Sequence, residues 1–286
     1  MSQLRIRSKQ GGLKALSGGW IKSILIFMIL ALLYMGIDGF EQICRSTLNI
    51  PYSTKNALNL DFRSLIIEVV FSVVSLLIIV PILLGVLEWF WNLSEQKKTA
   101  IGDVFAWYGE GRLYLKSILF GLNLGVRKLL WGILTCGLPI GLLIAANYYI
   151  AGVPLNGTNL SVAATQKLLI GSLLAIFGML LLVGGLILYI YITSRYIPAY
   201  FLMVEDNTRK GSQVIRDSIR YSRSFRWEYT KFVFSFIGWA ILCTMIFPAV
   251  FVVPYFLSSL SLFSKHVIYS QRPKVDDTVQ FEKTDI

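Results

Sequence analysis

The chain has 286 residues, of which 55% are hydrophobic, 14% aromatic and only 15% charged. A soluble domain carries closer to about a quarter charged residues, so the composition excludes an ordinary soluble fold and asks for lipid as solvent. The formal charge of +11 suits anionic headgroups; no basic run is interleaved with a globular nucleic-acid-binding pattern, so nucleic acid is not expected as a partner.

Residues 1–10 are polar and basic, and the apolar run behind them lacks a small-residue cleavage site. The first span therefore reads as a retained signal anchor. It covers residues 20–37, with Lys22 its only charge. Residues 65–87, with Glu68 their only charge, form the second span, and the uncharged segments 129–151 and 168–194 form the third and fourth. A helix rises about 1.5 Å per residue, so about 20 residues cross a hydrocarbon core of about 30 Å. All four pass. The last run, 232–264, has 33 uncharged residues, too many for one upright span and slightly few for two. Pro248 and Pro254 bracket 249–253, where missing backbone donors favour a turn. Two short spans joined there return the tail to the starting side, whereas one long kinked helix leaves it outside. The first arrangement is preferred and makes six spans, with five as the alternative.

Basic residues set the orientation. Five lie before or within the start of the first span, from Arg5 to Lys22; six lie in 92–128 and eight in 195–231. The opposite connections hold only Arg45, Lys55, Arg63 and Lys167. Nineteen against four places the N-terminus inside, because positive charge is retained on the cytoplasmic side. Lys265, Arg272 and Lys274 favour an inside tail. Residues 1–275 read as one integral membrane domain, and 276–286 as a disordered polar tail.

Two inner segments are amphipathic. Ile101, Val104, Phe105 and Tyr108 recur at helical spacing, with Thr99 available as an N-cap. Arg209, Arg216, Arg220 and Arg223 share a helical stripe from which Val214, Ile215, Ile219 and Tyr221 lean away, and Trp227 brings the chain back to the membrane. Such a helix suits the headgroup layer, and anionic lipid headgroups are its expected partner. Intramembrane carboxylates are costly and often functional. Glu68 lies near the outer end of the second span and Glu88 at its inner end, where Arg127 and Lys128 are natural ion-pair partners for Glu88.

Catalytic chemistry is thinly supplied. His266 is the only histidine, which rules out a two-histidine zinc site, and neither a nucleophile elbow nor a Walker A loop occurs. Cys44, Cys136 and Cys243 form no disulfide framework and no CxxC pair. Asn156-Gly157-Thr158 matches a glycosylation acceptor but is too short to carry weight. No catalytic residue, cofactor or metal site is expected. Gly171, Gly178 and Gly185 recur every seven residues on one face of the fourth span; in lipid such a face permits close helix packing. The third span, with Gly137 and Gly141, is the expected partner.

The chain also resembles a family of multi-pass membrane proteins from Gram-positive bacteria, known as a domain of unknown function, family nine-seven-five. The strongest match is Ser235-Phe236-Ile237-Gly238-Trp239 followed by Pro254-Tyr255. Leu16-Ser17-Gly18-Gly19-Trp20, Ile101-Gly102-Asp103-Val104-Phe105, Asp206-Asn207 and Ser222-Arg223 support it in order. Thr208 stands where the family usually has proline. The resemblance implies a bacterial plasma-membrane protein and brings no known activity or site.

The expected fold is thus an all-α polytopic helix bundle with short cytoplasmic amphipathic helices. The expected role is non-enzymatic: organising, assisting or regulating a membrane protein partner or lipid at the inner surface. The alternative is a small transporter or export accessory with Glu68, Asn123 and Asn147 near a path.

Overall fold

A computed structural model of the chain describes residues 2–50, 62–151, 153, 161–244 and 246–272. The Asn156-Gly157-Thr158 acceptor and the 276–286 tail lie outside the described residues. The described chain is all-α. In order, the helices are α1 (Ser2–Leu16), α2 (Trp20–Thr47), α3 (Phe62–Ser94), α4 (Gly111–Ala151), α5 (Val162–Thr193), α6 (Ile197–Glu205), α7 (Gly211–Tyr221), α8 (Arg226–Phe234), α9 (Ile237–Leu242) and α10 (Ile246–Gln271). One 3-10 segment, Ile101–Tyr108, joins α3 to α4, and another, Ser194–Tyr196, joins α5 to α6.

Among the described residues, five helical stretches are long and apolar enough to cross a membrane: Trp20–Thr47, Phe62–Ser94, Gly111–Ala151, Val162–Glu205 and Pro248–Gln271. The first four make two antiparallel hairpins. Phe40 of α2 meets Phe71 of α3 with ring centroids 5.9 Å apart, and the Arg45 guanidinium donates to Ser64 Oγ at 3.0 Å. In the second hairpin α4 and α5 pack along their length. Their leucines and isoleucines face outward, with Leu134 71% and Leu180 67% exposed, as side chains in contact with lipid do.

Proline lies inside both hairpins, at Pro81 of α3 and Pro139 of α4. A helix-interior proline has no N–H for the carbonyl four residues back. In a membrane that carbonyl needs another partner. Pro81 frees the Leu77 carbonyl, and the Tyr114 hydroxyl donates to it at 3.3 Å, while the Tyr108 hydroxyl donates to the neighbouring Ile78 carbonyl. Pro139 frees the Thr135 carbonyl, which lies against Gly185 of α5.

The three basic segments counted from the sequence, and the basic residues that follow the last apolar run, converge at one end of the molecule. Arg5 lies 3.3 Å from the Glu228 carboxylate, Lys22 donates to the Thr99 carbonyl at 2.8 Å, Lys265 lies 3.1 Å from Glu95, and Arg272 pairs with Glu205. We term this the basic end. Unlike the hairpins it has a dense core, in which Trp89, Trp107, Phe201, Tyr229, Phe232 and Phe263 are fully enclosed. Phe232 stacks on Phe263 at 4.9 Å, and Tyr229 meets the same ring edge-on at 4.8 Å. Enclosing one large apolar side chain is worth about 1.5–3 kcal/mol where water is the alternative.

The N-terminal segment, expected only to be polar and basic, is the helix α1 and packs antiparallel on α10. Gly12 permits the contact: a Cβ there would come within 2.9 Å of the Ser259 backbone. Ser258 Oγ donates to the Gly12 carbonyl at 3.1 Å.

The C-terminal run differs from its expected form. The chain doubles back within 232–264, but it turns directly after α9, ahead of both prolines. Pro248 falls in the first turn of α10, where the missing N–H has no intrahelical acceptor to lose. Pro254 is accommodated inside α10. Neither proline makes the turn between 249 and 253. Only α10 reaches spanning length; α9 has 6 residues. The apolar window of α10 is also 61% buried, against 6–28% for the other four stretches. Its Ser261 hydroxyl approaches the Phe90 carbonyl at 3.5 Å and Lys265 Nζ donates to the Trp91 carbonyl at 2.9 Å. The helix therefore runs beside the last turns of α3. Fifteen residues separate Ser261 from the start of α10, about 22 Å at about 1.5 Å per residue, so that start lies past the midpoint of α3 but short of its outer end, and α8–α10 form a hairpin entered from the basic end.

Candidate membrane-surface site

The segment after α6 begins with a tight turn. Asp206 Oδ1 accepts from the Thr208 backbone N–H at 3.0 Å and from its hydroxyl at 2.6 Å, and Oδ2 accepts from Arg209 Nε at 2.9 Å. The Thr208 bonds, with the Arg209 contact behind them, hold the Asp206 carboxyl below its ordinary range. A proline at 208 could make neither Thr208 bond. From this turn α7 runs along α6 and α4, burying Val214, Ile215 and Ser218. The Ser218 and Ser222 hydroxyls donate to the Arg195 carbonyl at 2.7 and 3.3 Å, which fixes α7 to the turn that ends α5.

With one face fixed inward, α7 has to present the other. Arg216 and Arg220, four residues apart, are exposed on one face of the helix, and Arg223 is exposed in the turn that follows α7. Arg209 is set apart from them by ion pairs to Asp206 and, at 3.8 Å, to Asp217. Trp227 is 55% exposed, lies 6.1 Å from the Tyr191 ring at the end of α5, and carries Lys231 Nζ 5.6 Å from its own ring. Tyr191 belongs to the apolar hairpin, so the aromatic pair sits where the hairpin meets the basic end.

The carboxylates take other partners than expected. Glu88 accepts from Trp107 Nε1 at 2.8 Å. The anticipated pairing of Glu88 with Arg127 or Lys128 does not form, because the 3-10 segment occupies the face of α3 that Glu88 presents. Arg127 donates instead to Asn123 Oδ1 and Lys128 to the Tyr200 hydroxyl, both at 2.8 Å. The 3-10 period of three brings Ile101, Val104 and Trp107 to one side, with Val104 and Trp107 buried and Phe105 and Tyr108 partly exposed. Thr99 is no cap; Asp103 closes the start by accepting from the Ala100 N–H at 2.8 Å. At the far end of the first hairpin Glu68 is exposed and 4.0 Å from Arg45, which is itself buried and 2.7 Å from Glu41. Asn123, Asn147 and Glu68 are not brought together.

Gly171, Gly178 and Gly185 are the buried residues of α5, and all three face α4. Their neighbours are Ala146 and Ile150, Leu142 and Leu143, and Thr135. Gly137 and Gly141, the anticipated partners, are not among them; Gly141 has nothing within 4 Å of an added Cβ. The Phe236 and Tyr255 rings meet at 5.3 Å, so Ser235-Phe236-Ile237-Gly238-Trp239 and Pro254-Tyr255 form opposing arms of the inserted hairpin. Lys9 Nζ donates to the Ser235 carbonyl at 3.2 Å and sits over the Phe236 ring at 4.3 Å. Burial, with Arg5 nearby, pulls the Lys9 ammonium below its usual range. Trp239 and Ile237 remain exposed.

Sequence reasoning missed Arg195 and Trp131 as a pair, and the close contacts of Gly12 and Gly85. Arg195 counted only as one more basic residue, and nothing local ties it to a tryptophan 64 positions earlier.

Helices of spanning length, apolar outer faces and a compact basic end define an all-α multi-pass membrane protein. The chain belongs to the family described as protein of unknown function, DUF975, whose match covers residues 1–270. Comparison with curated proteins and with solved structures finds no match.

Proposed function

We propose that the protein is a non-enzymatic component of a bacterial plasma membrane. Its basic end is cytoplasmic, and there it organises or regulates anionic lipid and the membrane proteins that gather on it. One observation carries this reading: α7 and the turn after it, fixed by Val214, Ile215 and two serine hydroxyls, hold Arg216, Arg220 and Arg223 outward beside the base of the second hairpin. Three cations on a braced helix and its closing turn suit headgroup phosphates at that level, each worth about 1 kcal/mol near an anionic surface. The single histidine of the sequence leaves no histidine pair for acid–base chemistry, in keeping with this reading.

Two measurements test it. Reporter fusions after Asn92 and after Gly211 should read as cytoplasmic and one after Asn159 as external; a cytoplasmic signal at Asn159 would refute the orientation. Amide exchange over α7 in the whole protein should be slower in phosphatidylglycerol nanodiscs than in phosphatidylcholine ones, and salt should reduce the difference by screening. Replacing all three arginines by glutamine should remove it, a loss of about 3 kcal/mol at most. Equal exchange in both lipids would sink the headgroup reading.

A further inference from the structure

Beside α7 lies a second feature that its outward arginines do not explain. A groove of about 450 Å³ opens between α4 and α7, lined by Arg127, Leu130, Trp131, Leu134, Arg195, Tyr196 and Ile219. Its size falls in the range of small-molecule sites. The Arg195 guanidinium stacks between two rings, 4.7 Å from Trp131 and 5.2 Å from Tyr196. Its Nε is buried without a hydrogen-bond acceptor, and among the described residues it has no carboxylate partner. Buried donors are ordinarily satisfied, and an arginine fork is shaped to hold a phosphate. Arg127, at the same groove, uses Nε on Asn123 and keeps its terminal nitrogens for another acceptor.

We infer that this groove holds one anionic phospholipid, its phosphate on Arg195 and Arg127 and an acyl chain along Leu130 and Leu134. The inference deepens the headgroup reading of α7 by adding a discrete, stoichiometric site. A free anion would need no apolar wall. Here the wall is continuous with the outer face of α4, where Leu130 and Leu134 are 61% and 71% exposed. An anionic head joined to an apolar chain matches both the arginines and the lipid-facing wall. The site is also held in place, since the Arg195 carbonyl is tied to α7 by Ser218 and Ser222. Ile219 of α7 closes one side.

The test is lipid retention by the purified full-length protein, read by native mass spectrometry after detergent exchange from equal phosphatidylglycerol and phosphatidylcholine. One phosphatidylglycerol should be retained per chain, favoured roughly tenfold or more, as two basic residues support. Arg195→Gln should cost roughly fivefold of that preference, as one basic residue does. Leu134→Trp, at an already exposed position, should lower retention by filling the groove, and so tests the site apart from any part Arg195 plays in folding. The triple glutamine variant of Arg216, Arg220 and Arg223 should still retain the lipid, which separates this site from the surface reading. Equal retention of the two lipids, displacement by an excess of inorganic phosphate, or retention unchanged in both Arg195→Gln and Leu134→Trp would overturn it.

Discussion

In the α4–α5 hairpin, leucine and isoleucine face out, and glycine makes the closest contacts between the helices. At the basic end the order is reversed: Trp89, Trp107, Tyr229 and Phe232 are enclosed, and Arg216, Arg220 and Arg223 face out. The difference follows from the solvent each region meets. Lipid offers apolar side chains no reason to turn inward, so close backbone approach must hold the hairpin. Water drives aromatic rings together at the basic end, and the serines and lysines carried in with them bond to backbone carbonyls. Ser258 bonds to Gly12 and Lys265 to Trp91 in this way. One chain therefore uses two packing rules, and the change falls near the ends of α3 and α5.

The largest effect should come where the two rules meet. Gly85 of α3 lies against the 3-10 segment so closely that a Cβ would come within 1.9 Å of the Val104 carbonyl oxygen. Gly85→Ala should cost about 3 kcal/mol or more, the upper end of overpacking, by displacing the segment that delivers Trp107 to Glu88. Gly102→Ala, with nothing within 4 Å, should leave thermal unfolding in detergent unchanged. Similar melting of the two variants would show that α3 and this segment do not pack as described.

A smaller effect isolates the hairpin rule. At Gly185 a Cβ would come within 2.5 Å of the Thr135 carbonyl, while neighbouring Gly184 faces open space. Gly185→Ala should destabilise by about 1–3 kcal/mol and Gly184→Ala should not, measured by the same unfolding assay. If the adjacent pair respond alike, glycine is not what holds α4 to α5.

The smallest effect sharpens the basic end. Burial raises the Glu95 carboxyl, but hydrogen bonds and charge from Lys97 and Lys265 outweigh it and hold the group below its ordinary range. A depressed folded value means that the stabilisation is complete above the unfolded one, near pH 4.5, and is lost as pH falls through the lower folded value. Stability should decline on acidification below about pH 4.5, by less than about 1 kcal/mol from this group, read as a lower melting temperature. Glu95→Gln should flatten that part of the profile; an unchanged acid limb would remove Glu95 from the account.

Much of the architecture was legible in the residues. Four spans, the gathering of basic segments at one end and the glycine face of α5 all follow from local patterns of charge, hydropathy and spacing. Those patterns persist whatever the rest of the chain does. The turn of the C-terminal run was not legible, because two prolines mark positions where a turn is permitted, and only the contacts of α10 with α1 and α3 decide where the chain reverses. Glu88 shows the same limit: its charge suggested Arg127 and Lys128, but the intervening 3-10 segment brought Trp107 first.

By itself, then, the sequence determined an all-α chain for lipid, which segments meet lipid and which are basic, since hydropathy and charge act residue by residue. The tertiary structure alone decided that α10 is sheltered by protein, that Gly12 and Gly85 mark the closest backbone contacts of the basic end, and that Arg195 rests between Trp131 and Tyr196. Each of these joins elements distant in sequence. Whether a donor finds an acceptor, or a glycine a neighbouring backbone, depends on which helices arrive beside it.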